Sequence, residues 1–192
     1  MKRFPILALL MLAAIVLGGT LSSCIGDDND DKYADWRNAN IAWYEQQQNL
    51  KADDGAKFYE EVTADWNPTA KVLMHWFNDT SKTRANIKPL YSSQVDVKYR
   101  GQLYDGTPFD SSYLNTVPGD SLFRCRLNSS IIEGWAIAIT KMRIGDSVRV
   151  VIPYKLAYKA ASSGSIKPYS MLQFDIKLVA VPKFELAPKR AH

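Results

Sequence analysis

Histidine and cysteine are scarce in this chain, two of each in 192 residues, and the scarcity removes several kinds of chemistry. The histidines, His75 and His192, belong to no HExxH and to no spaced His/carboxylate set, so the sequence assembles no zinc site. Cys24 and Cys125 form no closely spaced pair. Basic residues (24) barely exceed acidic ones (20) and form no dense Lys/Arg run, which makes nucleic acid a poor partner. No internal repeat occurs, and no apolar run is long enough to span a bilayer as a helix.

The longest apolar run, Phe4 to Leu17, follows Lys2 and Arg3 and leads into Leu21-Ser22-Ser23-Cys24. That is the layout of a secretory signal, with small residues before the cut. A cysteine directly after Leu-Ser-Ser resembles the bacterial lipobox, which implies residues 1–23 as a lipoprotein signal peptide and Cys24 as the acylated first residue of the mature chain. Cleavage there leaves 169 residues with 22 basic and 20 acidic side chains, a formal charge of +2 in place of +4. More than one acyl chain anchors stably, each buried methylene contributing about 0.8 kcal/mol. The expected location is therefore extracytoplasmic and lipid-anchored, on the periplasmic or outer side of an outer membrane. With Cys24 acylated, Cys125 is the only thiol left and no intramolecular disulfide is available. Asp27, Asp28, Asn29, Asp30 and Asp31 cannot bury themselves and read as a tether over 24–35. This run also resembles the acidic export signal of Bacteroidetes surface lipoproteins; a solvated linker and surface display both fit it.

Trp36, Ala39, Trp43 and Leu50 recur at helical spacing among Arg37, Glu45 and Gln46 to Gln48, which predicts an amphipathic helix leaning on the domain. Ala52-Asp53-Asp54-Gly55 ends it. Phe58 to Trp66 and Lys71 to Phe77 read as strands joined by a turn at Asn67-Pro68, and Asn78 to Lys88 as a polar loop. These make a helix-and-strand extension over 36–88. From 89 to 182 alternation dominates: Val95, Val97, Tyr99, Gly101 and Leu103, then Phe123, Cys125 and Leu127, then Val148 and Val150 to Ile152, then Leu172, Phe174, Ile176 and Leu178, each set marking one buried face of a strand. One short helix lies among them, with Trp135, Ala138, Ile139 and Met142 on one face and Gly145 expected to close it. The pattern predicts an α+β fold, an antiparallel sheet wrapped around one short helix. Residues 183–192 form a polar tail.

Tyr-x-Gly at 99–101, Asp-Gly at 105–106, Phe-Asp-Ser-Ser at 109–112, Gly-Trp at 134–135 and Leu-Ala-Tyr at 156–158 stand in an order that resembles the FKBP-type peptidyl-prolyl cis-trans isomerases, over roughly half of the chain from Val95 to Leu178. The resemblance implies an FKBP-like sheet and an isomerase without a cofactor. Its substrates would be proline-containing polypeptides, and macrolide inhibitors would enter the same pocket. It places Tyr99, Phe109, Phe123, Ile131, Ile132, Trp135, Tyr158 and Phe174 around the proline, with Trp135 as floor. The Tyr158 hydroxyl and the Ile132 N–H would hold substrate carbonyls, and Asp110 would accept from Tyr99 and fix its ring.

Several positions depart from the family pattern. Lys159 stands where a glycine usually follows Leu-Ala-Tyr, Lys167 replaces a proline before the last strand, Cys125 replaces a common aromatic, and Asn128-Ser129-Ser130 shortens a turn. These changes are expected at the rim and flap, which choose substrates. Gly119-Asp120-Ser121 and Gly145-Asp146-Ser147 resemble an esterase nucleophile block, but no histidine is placed as base for either serine, so they read as a turn and a strand entry. Asp120-Ser121-Leu122 and Asp146-Ser147-Val148 also resemble an O-glycosylation signal of Bacteroidetes exported proteins. Two rival functions stay open at this point. One is a binding module that keeps the pocket without useful turnover; the other is a glycan-binding lipoprotein that stacks sugars on Trp36, Trp43, Trp66 or Trp76.

Overall fold

The computed structural model describes residues 32–114, 121–129 and 131–182. The signal segment, Cys24, the tether through Asp31, Gly119-Asp120, Ser130 and the tail from 183 lie outside the described residues, as do the expectations that rest on them.

Helix α1 (Ala34–Asn49) is followed by strands β1 (Glu60–Ala64) and β2 (Asn67–Trp76). Then come β3 (Gln94–Leu103), β4 (Pro108–Ser111), β5 (Phe123–Arg126), helix α2 (Glu133–Ile139), β6 (Ser147–Ile152) and β7 (Leu172–Ala180). All seven strands belong to one sheet of order β1-β2-β6-β7-β3-β4, with β5 also on β3, and every pairing is antiparallel. The α+β architecture expected from the alternation is the one formed. Its extra strands are not a separate layer: β2 pairs with β6, so β1 and β2 extend the same sheet.

The long strand β3 organises the domain. One edge is fully paired with β7 from Asp96 to Leu103. The other edge is divided, with β5 on residues 94–97 and β4 on residues 100–102. Tyr99 falls in the fork between them, where its backbone would lack partners. Ser112 fills the gap, its hydroxyl accepting from the Tyr99 N–H (3.0 Å) and its own N–H donating to the Tyr99 carbonyl (3.1 Å). Buried backbone groups must be paired somewhere, which gives the Phe-Asp-Ser-Ser run a structural reason.

Helix α2 packs its apolar side chains into the sheet. Ile137, Ala138, Ile139 and Met142 are wholly buried with Val72, Met74, Val97, Val148, Val150 and Leu178. At the helix start, a Cβ on Gly134 would collide with Ile152 of β6, so only glycine lets the helix approach this closely.

Four local expectations differ from the structure. The turn between β1 and β2 is Asp65-Trp66, and Asn67-Pro68 opens β2. The pairing register shifts between Thr63 and Ala64, and an irregular sheet edge is where proline's missing N–H is tolerated. Helix α2 ends at Ile139 with Thr140 as cap. Lys141 and Met142 then bond back three residues, tightening the chain, so Gly145 (φ +96) serves the turn into β6 instead of the helix end. Leu50 caps α1 in extended conformation and is 40% exposed; the helix instead buries Asn40. Finally, the 78–88 segment contains a 3-10 turn at Thr80–Thr83, anchored where Thr83 Oγ1 donates to the buried Asp146 at 2.6 Å.

Candidate active site

The nine residues singled out from the sequence, Tyr99, Phe109, Asp110, Phe123, Ile131, Ile132, Trp135, Tyr158 and Phe174, all line a single open cavity of about 500 Å³. That is within the usual range for a ligand site. Each element contributes at a defined point: β3 gives Tyr99, β4 Phe109 and Asp110, β5 Phe123, the entry to α2 Ile131, Ile132 and Trp135, the turn that follows the 3-10 segment Tyr154–Leu156 gives Tyr158, and β7 Phe174.

The aromatic rings meet edge to face. Trp135, 5% exposed, sits at the centre of the set, with ring centroids 4.8 Å from Tyr99, 5.2 Å from Phe174 and 6.1 Å from Phe123, at interplanar angles of 81°, 85° and 84°. Phe109 meets Phe174 at 5.4 Å and 89°. Such geometry sets a positive ring edge against a negative face, and each pair contributes about 0.5–1.5 kcal/mol beyond area burial. The rings thus brace one another around the cavity. Gly101 is part of it: a Cβ there would lie 2.7 Å from Phe109 Cζ and 2.8 Å from Phe174 Cε1, so the glycine of Tyr-x-Gly makes room for two walls.

Polar and charged groups surround the aromatic cage. The Tyr99 hydroxyl donates to Asp110 Oδ2 at 2.6 Å, and the other carboxylate oxygen accepts from the Ser111 N–H at 2.7 Å. Burial, followed by the Asp110 carboxylate that accepts its proton, pushes the Tyr99 phenol well above its ordinary range. Tyr99 thus stays protonated. The Tyr158 hydroxyl, on a side chain 36% exposed, and the Ile132 N–H have no acceptor among the described residues. Of buried side-chain donors and acceptors in the described residues, the Trp135 indole N–H alone is unpaired. An orphan of this kind costs about 1–3 kcal/mol, and buried polar groups are otherwise paired in native proteins.

Ser129 and Lys159 stand at the rim, as expected of those departures, and sequence reasoning missed Glu133, Lys155 and Ala157, which complete it. Glu133 and Lys155 bring charge to the mouth beside Lys159; no pattern signals them, since both read as ordinary surface residues. Lys159 does line the cavity, as its place after Leu-Ala-Tyr implied, and its φ of +59° explains why glycine is common there. Lys167 does not line it: its ammonium sits over the Trp36 ring, 4.4 Å from the centroid. Cys125 is buried behind the cavity, and burial together with the Asp96 carboxylate raises its thiol pKa to about 12. His75 is remote, stacked on Phe58 at 3.9 Å. No cluster of three His, Cys, Asp or Glu suited to a metal forms among the described residues.

Residues 86–179 match the family model described as FKBP-type peptidyl-prolyl cis-trans isomerase, and that span contains all nine cavity residues. The macrophage infectivity potentiator of Trypanosoma cruzi is 35% identical over 140 residues, an alignment covering 71% of this chain and 68% of that protein. The chain belongs to the FKBP-type peptidyl-prolyl cis-trans isomerase family. A second member, the FKBP-type 22 kDa peptidyl-prolyl cis-trans isomerase of Escherichia coli, is 36% identical over 94 residues, 48% of this chain and 43% of that protein. This chain spans less than half of the latter's length. Among solved structures, the peptidyl-prolyl cis-trans isomerase of Pseudomonas syringae pv. tomato superposes with a TM-score of 0.60 at 28% identity, over 79% of this chain and 96% of the other. Helix α1, β1 and β2 lie outside the family span.

Proposed function

We propose that the protein is a lipid-anchored, extracytoplasmic isomerase that accelerates proline-limited folding of exported polypeptides. The observation that carries the catalytic part is the aromatic cage on the Trp135 floor, with the free Tyr158 hydroxyl and Ile132 N–H at its wall. Rotation about the imide bond meets a barrier of about 18–20 kcal/mol because resonance makes the bond partly double. Bringing an uncatalysed time of about 100 s down to about a millisecond is a factor of about 10⁵, or about 7 kcal/mol. No nucleophile is needed for that. The twisted imide has lost its resonance and much of its charge separation, so a dry aromatic pocket disfavours the planar form more. Hydrogen bonds from Tyr158 and the Ile132 N–H to substrate carbonyls hold the chain on either side of the turning bond, and the cage accepts the twisted ring better than the planar one. Asp110 orients Tyr99 and moves no proton.

The anchor and location rest on the residue order around Cys24, with the acidic run from Asp27 to Asp31 as tether. The glycan reading loses its platforms: Trp36 and Trp76 pack on the main core and Trp43 on a smaller cluster around Tyr59, Leu73 and Val151. Trp66, 39% exposed, lies against Tyr91 with centroids 4.2 Å apart.

A protease-coupled isomerisation assay on the full chain, with several residues before proline and rapamycin as competitor, tests the catalytic reading. Acceleration that rapamycin suppresses and that falls at least about tenfold in Trp135→Leu is expected. A folded wild type that accelerates no peptide sinks it. Acyl labelling at Cys24 in membranes, lost in Cys24→Ala, tests the anchor.

A further inference from the structure

We propose that helix α1 is a positioning element of the isomerase pocket, holding the cavity wall that carries Tyr158 and Lys159, with Asn40 and Trp36 as its positioning residues. The inference rests on the isomerase reading of the pocket.

That wall is not self-supporting. After Ala157, Tyr158 and Lys159, which line the cavity, the chain makes an excursion and returns at Tyr169. The stem closes where the Tyr169 N–H donates to the Lys159 carbonyl at 2.8 Å, and a Ser163–Ile166 bridge closes the tip. Both stem residues are left-handed, Lys159 at φ +59 and Tyr169 at φ +63, and neither is glycine. Side chains disfavour this conformation, so it persists only where surrounding contacts over-determine it.

Those contacts come from α1. Asn40 is wholly buried. Its amide donates to the Trp36 carbonyl, and its oxygen accepts from the Met171 N–H, both at 2.8 Å. The Trp36 indole donates to Ser170 Oγ at 3.1 Å, and that hydroxyl donates to the Lys167 carbonyl at 2.7 Å. The Arg37 guanidinium lies over the Tyr169 ring, 5.3 Å from its centroid, and the Lys167 ammonium over Trp36. One face of one helix, residues 36, 37 and 40, thus grips positions 167, 169, 170 and 171 of the returning segment, just before β7.

The chemistry of Asn40 points to positioning over general adhesion. A helix that only had to stick would bury an apolar side chain at this central position. A buried amide with a donor and an acceptor both engaged specifies one register and tolerates no slip, because half-satisfied it would be worse than an apolar residue. Lys167, one of the departures from the family pattern, belongs to the same device: its charge is spent on Trp36 and not on the rim.

The consequence is a division of labour. The rings of the floor, Trp135, Tyr99 and Phe174, are braced by one another and by Phe109 and Phe123, while Trp36 of α1 meets Tyr104, just beyond β3, at 5.1 Å. The Tyr158 hydroxyl depends on α1 through the stem. In the full chain, Asn40→Ala and Trp36→Phe are expected to raise KM about fivefold or more, with kcat within about twofold. Amide exchange is expected to quicken at least about tenfold over 159–171 while β3 and β7 keep their protection. Asn40→Asp keeps the acceptor for the Met171 N–H but loses the donor to the Trp36 carbonyl, so it should do no better than Asn40→Ala. Unchanged KM and unchanged exchange in folded variants would overturn the inference. So would exchange that quickens equally in β3 and β7, since Asn40 would then support the whole fold. A wild type without isomerase activity would instead overturn the functional reading, and exchange over 159–171 would still decide whether α1 holds the stem.

Discussion

Replacing Lys159 with glycine should stabilise the protein, although it deletes a side chain from the rim of the pocket. The residue is left-handed, with φ at +59°, and for a side chain bearing Cβ this conformation costs about 1–2 kcal/mol. Glycine removes that cost but surrenders about 0.5–1 kcal/mol through its greater freedom in the unfolded chain. The net gain is about 0.5–1 kcal/mol, and at about 2–4 °C per kcal/mol for a chain of this size the melting temperature should rise by about 1–4 °C. Calorimetry or urea titration of three variants separates backbone from side chain. Lys159→Ala keeps the strain and should stay within about 0.5 kcal/mol of wild type. Tyr169→Gly relieves the same strain at φ +63 but removes a ring that is 7% exposed and packed against Tyr154; losing such a ring costs about 3–5 kcal/mol, so it should be destabilised by at least about 2 kcal/mol. If Lys159→Gly destabilises while Lys159→Ala does not, the strain argument is wrong.

Three further outcomes follow from the site. Gly101→Ala should cost about 1–3 kcal/mol, because the new methyl forces Phe109 and Phe174 off their positions, and isomerase activity should fall by more than stability alone explains; activity equal to wild type in a folded variant would show that those walls are not critical. The pH profile of kcat/KM should be flat from about pH 6 to about pH 9, since no step transfers a proton and Tyr99 is held protonated; a bell-shaped profile would reject Asp110 as a mere orienter. Alkaline stability should respond to Cys125, whose pKa of about 12 in the folded chain lies above the ordinary value of about 8.5. Below the unfolded value both states keep the proton; above it only the unfolded thiol ionises, so stability falls as pH rises until the folded value is reached. Between about pH 8.5 and about pH 9.5 the loss is about 1 kcal/mol, and the slope, read by urea titration, should flatten in Cys125→Ala. An unchanged slope would mean that the thiol ionises in the folded protein.

The parts of this molecule legible in the sequence are those where one residue type has one structural use. Alternation along β3 and β7 marked the sheet, and the Tyr-x-Gly, Phe-Asp-Ser-Ser and Gly-Trp runs marked positions where the structure shows specific reasons: the fork at Tyr99, the space at Gly101 and the close approach at Gly134. The illegible parts depend on who the neighbour is. Asn40 reads as a polar helix residue until Met171 is seen beside it, 131 positions away. Pro68 reads as a turn because a sheet edge with shifted register has no local signature. Asp96 should face water in the alternating pattern, yet it is 4% exposed because Arg124 on the paired strand meets it with two bonds of 2.6 and 2.7 Å. Leu50 fits the apolar stripe of α1, but the helix ends one residue too early to bury it.

The departures at Lys159 and Lys167 bear on how such an enzyme is tuned. Catalysis of rotation needs a floor that discriminates planar from twisted imide, and that floor is built from residues of which only 5% of the surface is exposed. The Trp135, Tyr99 and Phe174 rings brace one another edge to face, so small changes elsewhere move them little. Substrate capture needs a wall whose position can be set separately. Here it stands on two strained residues and a helix outside the family span, so contacts that α1 makes or loses act on binding before they act on the turning bond. A floor fixed by the core and a wall fixed by an added helix let affinity change without rebuilding the chemistry. On this arrangement, substitutions at Trp36, Arg37 and Asn40 should move KM, and substitutions at Trp135 and Phe174 should move kcat.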